Sequence, residues 1–360
     1  MGILDVAGAL LLFGGFVAAY RVARQRPRAP GAGWYPDPAS SEPQSRFWDS
    51  RAWTPLVQSG LDAAPRARHF RGRFWGRWAW ILLGSILVLA IGSALYRASG
   101  NVHVMAAASF LAMTGVCWAF YRFTAQQLAL DDVIGPLEMI AVMVATAGGV
   151  MLFAANVNSA LINLGGTLLA TKTVGLVEEG TKLLVPLLLY FLGRYRDPRA
   201  GIGVGLAAGF GFAIVETTQY AYATASASGP DFCGGEIPEP TVSGVIQVQV
   251  YRIFLVSPLH WLWTGVAVAI AWRLWHLYGR KANLGAVGAI MLVMVVHSVN
   301  DTTSTLGCGS PSTTFLLQLL RWAILIGSYL FFKAMARKST PPQLIGVVSA
   351  GWTPKRLPRS

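Results

Sequence analysis

Charge is scarce in this chain. Asp, Glu, Lys and Arg together make up 12% of its 360 residues, too little for the polar shell that a water-soluble chain of this size carries. Acidic residues are scarcer than basic ones, 16 against 29. There are only three cysteines, which excludes a disulfide-stapled scaffold. Strand-period alternation is missing from the apolar runs, and that excludes a membrane β-barrel. The zinc-protease motif H-E-x-x-H is absent as well.

What is abundant is apolar sequence: 54% of the residues are hydrophobic and the mean hydropathy is +0.49. Runs of about 20 apolar residues suit membrane helices, which rise 1.5 Å per residue through a core of roughly 30 Å. About nine such runs occur, at 3–20, 78–97, 103–122, 134–155, 160–192, 200–226, 244–275, 284–304 and 313–334. The fold class expected is an all-α polytopic membrane protein, with an eight-helix bundle and an N-terminal anchor helix. The runs 160–192 and 244–275 exceed a straight span and predict tilts or kinks.

An outward N-terminus leaves Arg97 alone on the outer side, with Lys172, Lys182, Arg252 and Arg321 inside spans, and puts the other 24 of the 29 Lys and Arg in cytoplasmic segments. That positive-inside pattern predicts a multi-pass plasma-membrane protein, with residues 21–77 and the C-terminal tail cytoplasmic. It also accounts for the net charge of +13, so nucleic acid is not an expected partner and the lipid bilayer is. The first run lacks a basic flank before it and has RVARQRPR after it, as an uncleaved anchor does. Cys117 lies within a span. Cys233 and Cys308 fall in outer loops, where an oxidising compartment would permit a disulfide.

Four units follow from these boundaries: an anchor at 1–20, a polar segment at 21–77, a polytopic domain at 78–336 and a basic, disordered tail at 337–360. Within 21–77, the stretch GWYPDPASSEPQSRFWDSRAWTPLV is dense in aromatics and turn residues and predicts a compact hairpin-like knot. It resembles a small actinobacterial domain of unknown function with the pattern GWYPDP, R-[YF]-W-D and W-T, here at Gly33 to Pro38, Arg46 to Asp49 and Trp53-Thr54. Its expected role is an interaction module, with a cytoplasmic partner bound through 33–58. RARHFRGRFWGRW, leading into the second span, reads as a headgroup-binding, aromatic-belt segment.

Several spans carry ionisable groups, which are costly in lipid and mark functional sites. The fifth has Glu178, Glu179 and Lys182; the sixth has Glu216; the seventh has Arg252 and His260; the eighth has His297 and Asp301. Glu179, Glu216, His260 and His297 lie about 13–16 residues from the cytoplasmic ends of their spans, roughly 20–24 Å deep. Acid or imidazole thus recurs at one level on four consecutive helices. Lys182 lies angularly between Glu178 and Glu179 and can pair with either. Gly175, on the same face, is expected to leave room beside them. Pro186 and Pro258 free the carbonyls of Lys182 and Phe254. His297 and Asp301, at i and i+4, face one groove, and Gly201, Gly205 and Gly209 form a stripe for close helix packing.

In order, Glu178-Glu179-x-x-Lys182, Phe212-x-x-x-Glu216, Pro258-x-His260 and His297-x-x-x-Asp301 resemble the PrsW family of intramembrane proteases, over about 134–334. The resemblance implies an intramembrane endopeptidase acting on membrane-anchored or membrane-proximal polypeptides, an anti-sigma factor or similar regulator among them. It implies Glu178 as general base with His297 holding the water, Glu179 orienting Lys182 or supporting the water, and His260 as oxyanion donor or leaving-group acid. Glu216 and Asp301 stand where the related CAAX proteases have His and Asn, and an ionised carboxylate cannot donate a hydrogen bond. Four carboxylates against Lys182 and Arg252 call for a proton or a divalent cation. Glu178, Glu216, His260 and His297 are the candidate ligands and zinc the candidate ion; metal-free and zinc hydrolysis both stay open. A non-catalytic scaffold of the same fold is the alternative, though it predicts eroded motifs. A transporter predicts inverted repeats that the sequence lacks.

Overall fold

A computed structural model describes residues 2–25, 33–37, 44–48, 53–59, 76–128, 130, 133–228, 237, 239–304 and 311–339. Cys233 and Cys308, most of the basic segment before the second span, and the tail from residue 340 lie outside the described residues. Cys117 is buried with a free thiol.

The helices are α1 (Ile3–Gln25), α2 (Arg77–Ser99), α3 (Val102–Leu128), α4 (Pro136–Gly149), α5 (Ala155–Phe191), α6 (Pro198–Ala225), α7 (Val242–Tyr251), α8 (Ser257–Tyr278), α9 (Asn283–Ser304) and α10 (Pro311–Ser339). α10 thus runs three residues into the expected tail. α4 continues into α5 through a π-helical turn at Val150–Ala154, and α7 into α8 through another at Arg252–Val256. The second absorbs Pro258, which cannot donate to the carbonyl of Phe254.

Among the described residues, seven helical stretches are long and apolar enough to cross a membrane, against nine expected from sequence. The difference lies in Pro136–Phe191, of 56 residues, and Val242–Thr303, of 62, each of which merges two expected spans. Both fold back. At Gly165 and Gly166 the backbone leaves the helix, and Gly166 takes φ 70° and ψ −177°, a conformation essentially confined to glycine. Beyond this turn the second arm of α5 runs back along the first. Gly149 lies against Thr181, and Asn158 reaches Glu178, 20 residues later. Likewise the 3-10 turn Gly279–Ala282 returns α9 along α8, where Trp263 meets His297 at 4.7 Å between ring centroids.

α6 is the central helix. Its glycine stripe does pack closely: Gly201 faces Trp272, Gly205 faces Val268 and Gly209 faces Trp261, all on α8. Gly211 abuts the backbone of Met143 on α4. α1 is seated along α4, at Gly8, Gly15 and Gly148.

Three strands, β1 (Gly33–Pro36), β2 (Gln44–Trp48) and β3 (Trp53–Ser59), form an antiparallel sheet in the order β1-β2-β3. The reading of 21–77 as a hairpin-like knot thus gains a third strand, and the all-α description applies to the membrane part. The motif residues have structural partners. Asp37, buried, accepts from Arg46 Nε and Nη2 at 3.0 Å each and from Gln44 Nε2 at 2.8 Å. Thr54 Oγ1 donates to the carbonyl of Phe47 at 2.9 Å, and Trp34 packs edge-on against Phe47.

Candidate active site

The second arm of α5 carries Glu178, Glu179 and Lys182 on one face, toward α8 and α9. Gly175, one turn earlier, does not open space beside them as expected. An added Cβ there would strike the carbonyl of Met294, and its N–H donates to Ser298 Oγ at 3.0 Å. Gly175 therefore lets α9 approach, and the approach carries His297 into reach of both glutamates.

Glu179 is the most enclosed carboxylate, with 0% of its surface exposed. Lys182 Nζ donates to its Oε1 at 2.6 Å and Thr264 Oγ1 to its Oε2 at 2.8 Å. His297 Nδ1 stands 2.9 Å from Oε1. An ionised carboxylate only accepts, so this nitrogen bears the proton and Nε2 presents its lone pair on the other side. Nε2 is 3.5 Å from Glu178 Oε2 and 3.8 Å from Asp301 Oδ2. Lys182 Nζ also lies 3.0 Å from His260 Nδ1 and 4.2 Å above the Phe212 ring.

Glu178 is situated otherwise. Lys182 is 4.0 Å away and committed to Glu179. Asn158 Nδ2 donates to its Oε1 at 3.3 Å, while its Oε2 is buried without a hydrogen bond. Glu216 Oε2 is 2.5 Å from Arg252 Nη2 and 2.7 Å from His260 Nε2. These are close charge contacts rather than aligned hydrogen bonds, because all three atoms lack a partner of proper geometry. Arg252 stacks on Tyr220 at 3.5 Å.

Glu178, Glu216, His260, His297 and Asp301 line one cavity of about 300 Å³. A larger one of about 460 Å³ lies between Leu176 on α5 and Met294 on α9, but none of these five residues lines it, so the chemistry belongs to the first. Each expected site residue thus reaches the cluster, Lys182 and Glu179 from behind the cavity wall. Asp301 is the outermost, its side chain 36% exposed. Sequence reasoning missed Asn158 and Thr264. Asn158 becomes a neighbour of Glu178 only through the Gly165–Gly166 reversal, and Thr264 falls one turn after His260, a spacing that carries no signal by itself.

A model of the PrsW family of intramembrane metalloproteases matches residues 135–332. The chain belongs to that family. The match takes in α4 to most of α10 and every residue of the cluster. A second model, of a protein family of unknown function (DUF2510), matches residues 32–69 and includes the small sheet. No curated protein and no solved structure matches the chain.

The family description implies a metal, and the residues of this cluster fit one. Glu178, His260 and His297 offer one carboxylate oxygen and two imidazole nitrogens, all within 4.8 Å of one another. That donor set suits zinc. Two buried carboxylates, Glu178 and Glu179, and the half-buried Glu216 face two buried cations, Lys182 and Arg252. The uncompensated one is Glu178, whose Oε2 is unpartnered.

Proposed function

We propose that this chain is an intramembrane endopeptidase that hydrolyses membrane-anchored polypeptides, with a single-span regulator such as an anti-sigma factor as one substrate class. We further propose that Glu178, His260 and His297 hold a zinc ion. The observation that carries the reading is the convergence of these three side chains, from three helical arms of membrane-spanning length, on one buried cavity. A bound zinc would polarise the scissile carbonyl and lower the pKa of a bound water.

The chain's own residues support such a site. Glu179 Oε1 accepts from His297 Nδ1 and so keeps Nε2 aimed at the cavity, the orienting role a carboxylate plays behind a ligating histidine. Lys182 balances the charge of Glu179. Were His260 Nδ1 to ligate the ion instead of facing Lys182, the Lys182 bond to Glu179 would remain. Glu216, in contact with His260 Nε2 and held by Arg252, is the carboxylate placed to take a proton at Oε2 and return it to the leaving amine. Trp263 and Phe212 wall the cluster and limit water around it.

One contact favours a metal-free form of the same reaction. Lys182 Nζ can only donate, so its 3.0 Å approach makes His260 Nδ1 an acceptor and leaves the proton on Nε2. Glu178 Oε2 would then take the proton of the attacking water, and His260 Nε2 would donate to the oxyanion or the leaving amine.

Metal content separates the two. Purified protein that cleaves a single-span reporter is expected to hold about one zinc per chain by mass spectrometry, lost in His297→Ala. Chelation should stop cleavage and added zinc restore it. An active preparation free of metal would return Glu178 to the role of base.

A further inference from the structure

Arg321 is a cation in a membrane-depth helix without a carboxylate. It lies about three turns into α10, half-buried, and its Nη1 donates to the hydroxyl of Tyr251 at 2.5 Å. Its guanidinium stands 5.7 Å from the centre of that ring. Among the described residues no Asp or Glu pairs with it. Uncompensated cations in spans are rare and mark substrate or ion pathways.

Arg321 is turned toward a cavity. With Tyr251, Arg252, Tyr220, Asn300 and Asp301 it lines a space of about 180 Å³. The last four of those residues also line the 300 Å³ catalytic cavity, so the smaller space is its annex. The charges in the shared wall are already engaged: Arg252 meets Glu216 on the catalytic side, and Asp301 faces His297 and accepts from Asn300 Nδ2 at 3.0 Å. Arg252 is buried, and its Nε lacks an acceptor. The annex therefore offers guanidinium N–H groups from two helices and a tyrosine hydroxyl. The hydroxyl accepts from Arg321 and has its own proton to give.

We propose that the annex is a specificity subsite that takes a carboxylate, the side chain of an Asp or Glu of the cleaved polypeptide, paired with Arg321 and hydrogen-bonded by Tyr251. A planar guanidinium matches a carboxylate edge to edge. The proposal rests on the protease reading for its substrate, and makes an acidic residue near the scissile bond a determinant of cleavage.

The test uses full-length protein in phosphatidylcholine vesicles and a set of single-span polypeptides. Members carry Asp, Asn or Lys at each position flanking the span. In one arm, cleavage is compared within Asp/Asn pairs. Wild type should prefer Asp at one position by about tenfold, the scale of a charge-assisted pair. Arg321→Gln should bring that ratio near one, Arg321→Lys should keep part of it, and Arg321→Glu should favour a Lys-bearing member. In the second arm, binding of the same labelled polypeptides to Glu178→Gln protein is measured by fluorescence polarisation, which needs no turnover. Discrimination in binding without cleavage by wild type would uphold the subsite and overturn the protease reading. Equal cleavage or equal binding of Asp and Asn members, or a preference that survives Arg321→Gln, would overturn the subsite. So would a thermal stabilisation by phosphatidylglycerol that needs Arg321 with no peptide discrimination, since Arg321 would then hold a lipid phosphate.

Discussion

Glu178 and Glu179 are adjacent in sequence, yet their surroundings ask different things of them. Glu179 accepts from Lys182 and Thr264, contacts His297 and has no exposed surface. Its removal strands a buried ammonium, and an uncompensated buried charge costs about 3–5 kcal/mol. Glu178 borders the cavity with an oxygen free of hydrogen bonds, so its amide can replace it without stranding a partner. Glu178→Gln is therefore expected to melt close to wild type in detergent and to lose about 10²–10⁴-fold in reporter cleavage. Glu179→Ala should lower the melting temperature steeply and lose activity with it, and Glu179→Gln should fall between. Equal destabilisation by Glu178→Gln and Glu179→Ala would mean that both glutamates are structural.

At the level of elements, the site depends on a reversal inside what a hydropathy profile reads as helix. Gly166 has open space around a would-be Cβ, so only its backbone, at φ 70°, resists a side chain. Gly166→Ala should then cost about 1–3 kcal/mol and reduce cleavage by loosening Asn158 from Glu178. Gly180→Ala, also in open space but within regular helix, should be neutral or stabilising by up to ~1 kcal/mol. Equal melting temperatures for the two variants would remove the turn from the account. The same reversal shows why part of the site was legible in the sequence and part was not. Glu179, Glu216, His260 and His297 stand out because charge in an apolar run is rare, and their common depth follows from a fixed rise per residue. Asn158 and Thr264 are ordinary residues for a span, and only tertiary contact gives them a role. Gly175 was misread for a related reason: a glycine beside a polar cluster suggests room, whereas here it admits a second helix. The third strand of the small sheet was missed because Pro55 falls inside Trp53–Ser59, and a proline within a run argues against a strand.

For the whole molecule, two questions concern how its parts are arranged about the bilayer. Asp37, Arg46 and Thr54 of the small sheet are occupied with one another, which leaves the sheet without visible chemistry and supports a tethering role. Deleting 21–77 should then weaken capture of a cytoplasmic partner and leave cleavage of a detergent-solubilised reporter intact; loss of both would make the segment structural. The second question is how often the chain crosses. The 56-residue stretch Pro136–Phe191 would be about 84 Å long if straight, against a hydrocarbon core of roughly 30 Å. Folded at Gly165–Gly166, it would put its two ends on one side of the membrane and its turn on the other. Val242–Thr303 would do the same about Gly279–Ala282. If the Lys and Arg excess is held inside, the turn near Leu164 and the end of α6 at Ser226 would lie outside, and Arg196 and Lys281 in the cytoplasm; all four are exposed. In a background with the three cysteines replaced by serine, Leu164→Cys and Ser226→Cys should react with a membrane-impermeant maleimide in intact cells. Arg196→Cys and Lys281→Cys should react only after permeabilisation. Labelling of Arg196→Cys from outside would invert the proposed orientation, and a Leu164→Cys that is shielded on both sides would mean that the first hairpin does not reach the outer surface.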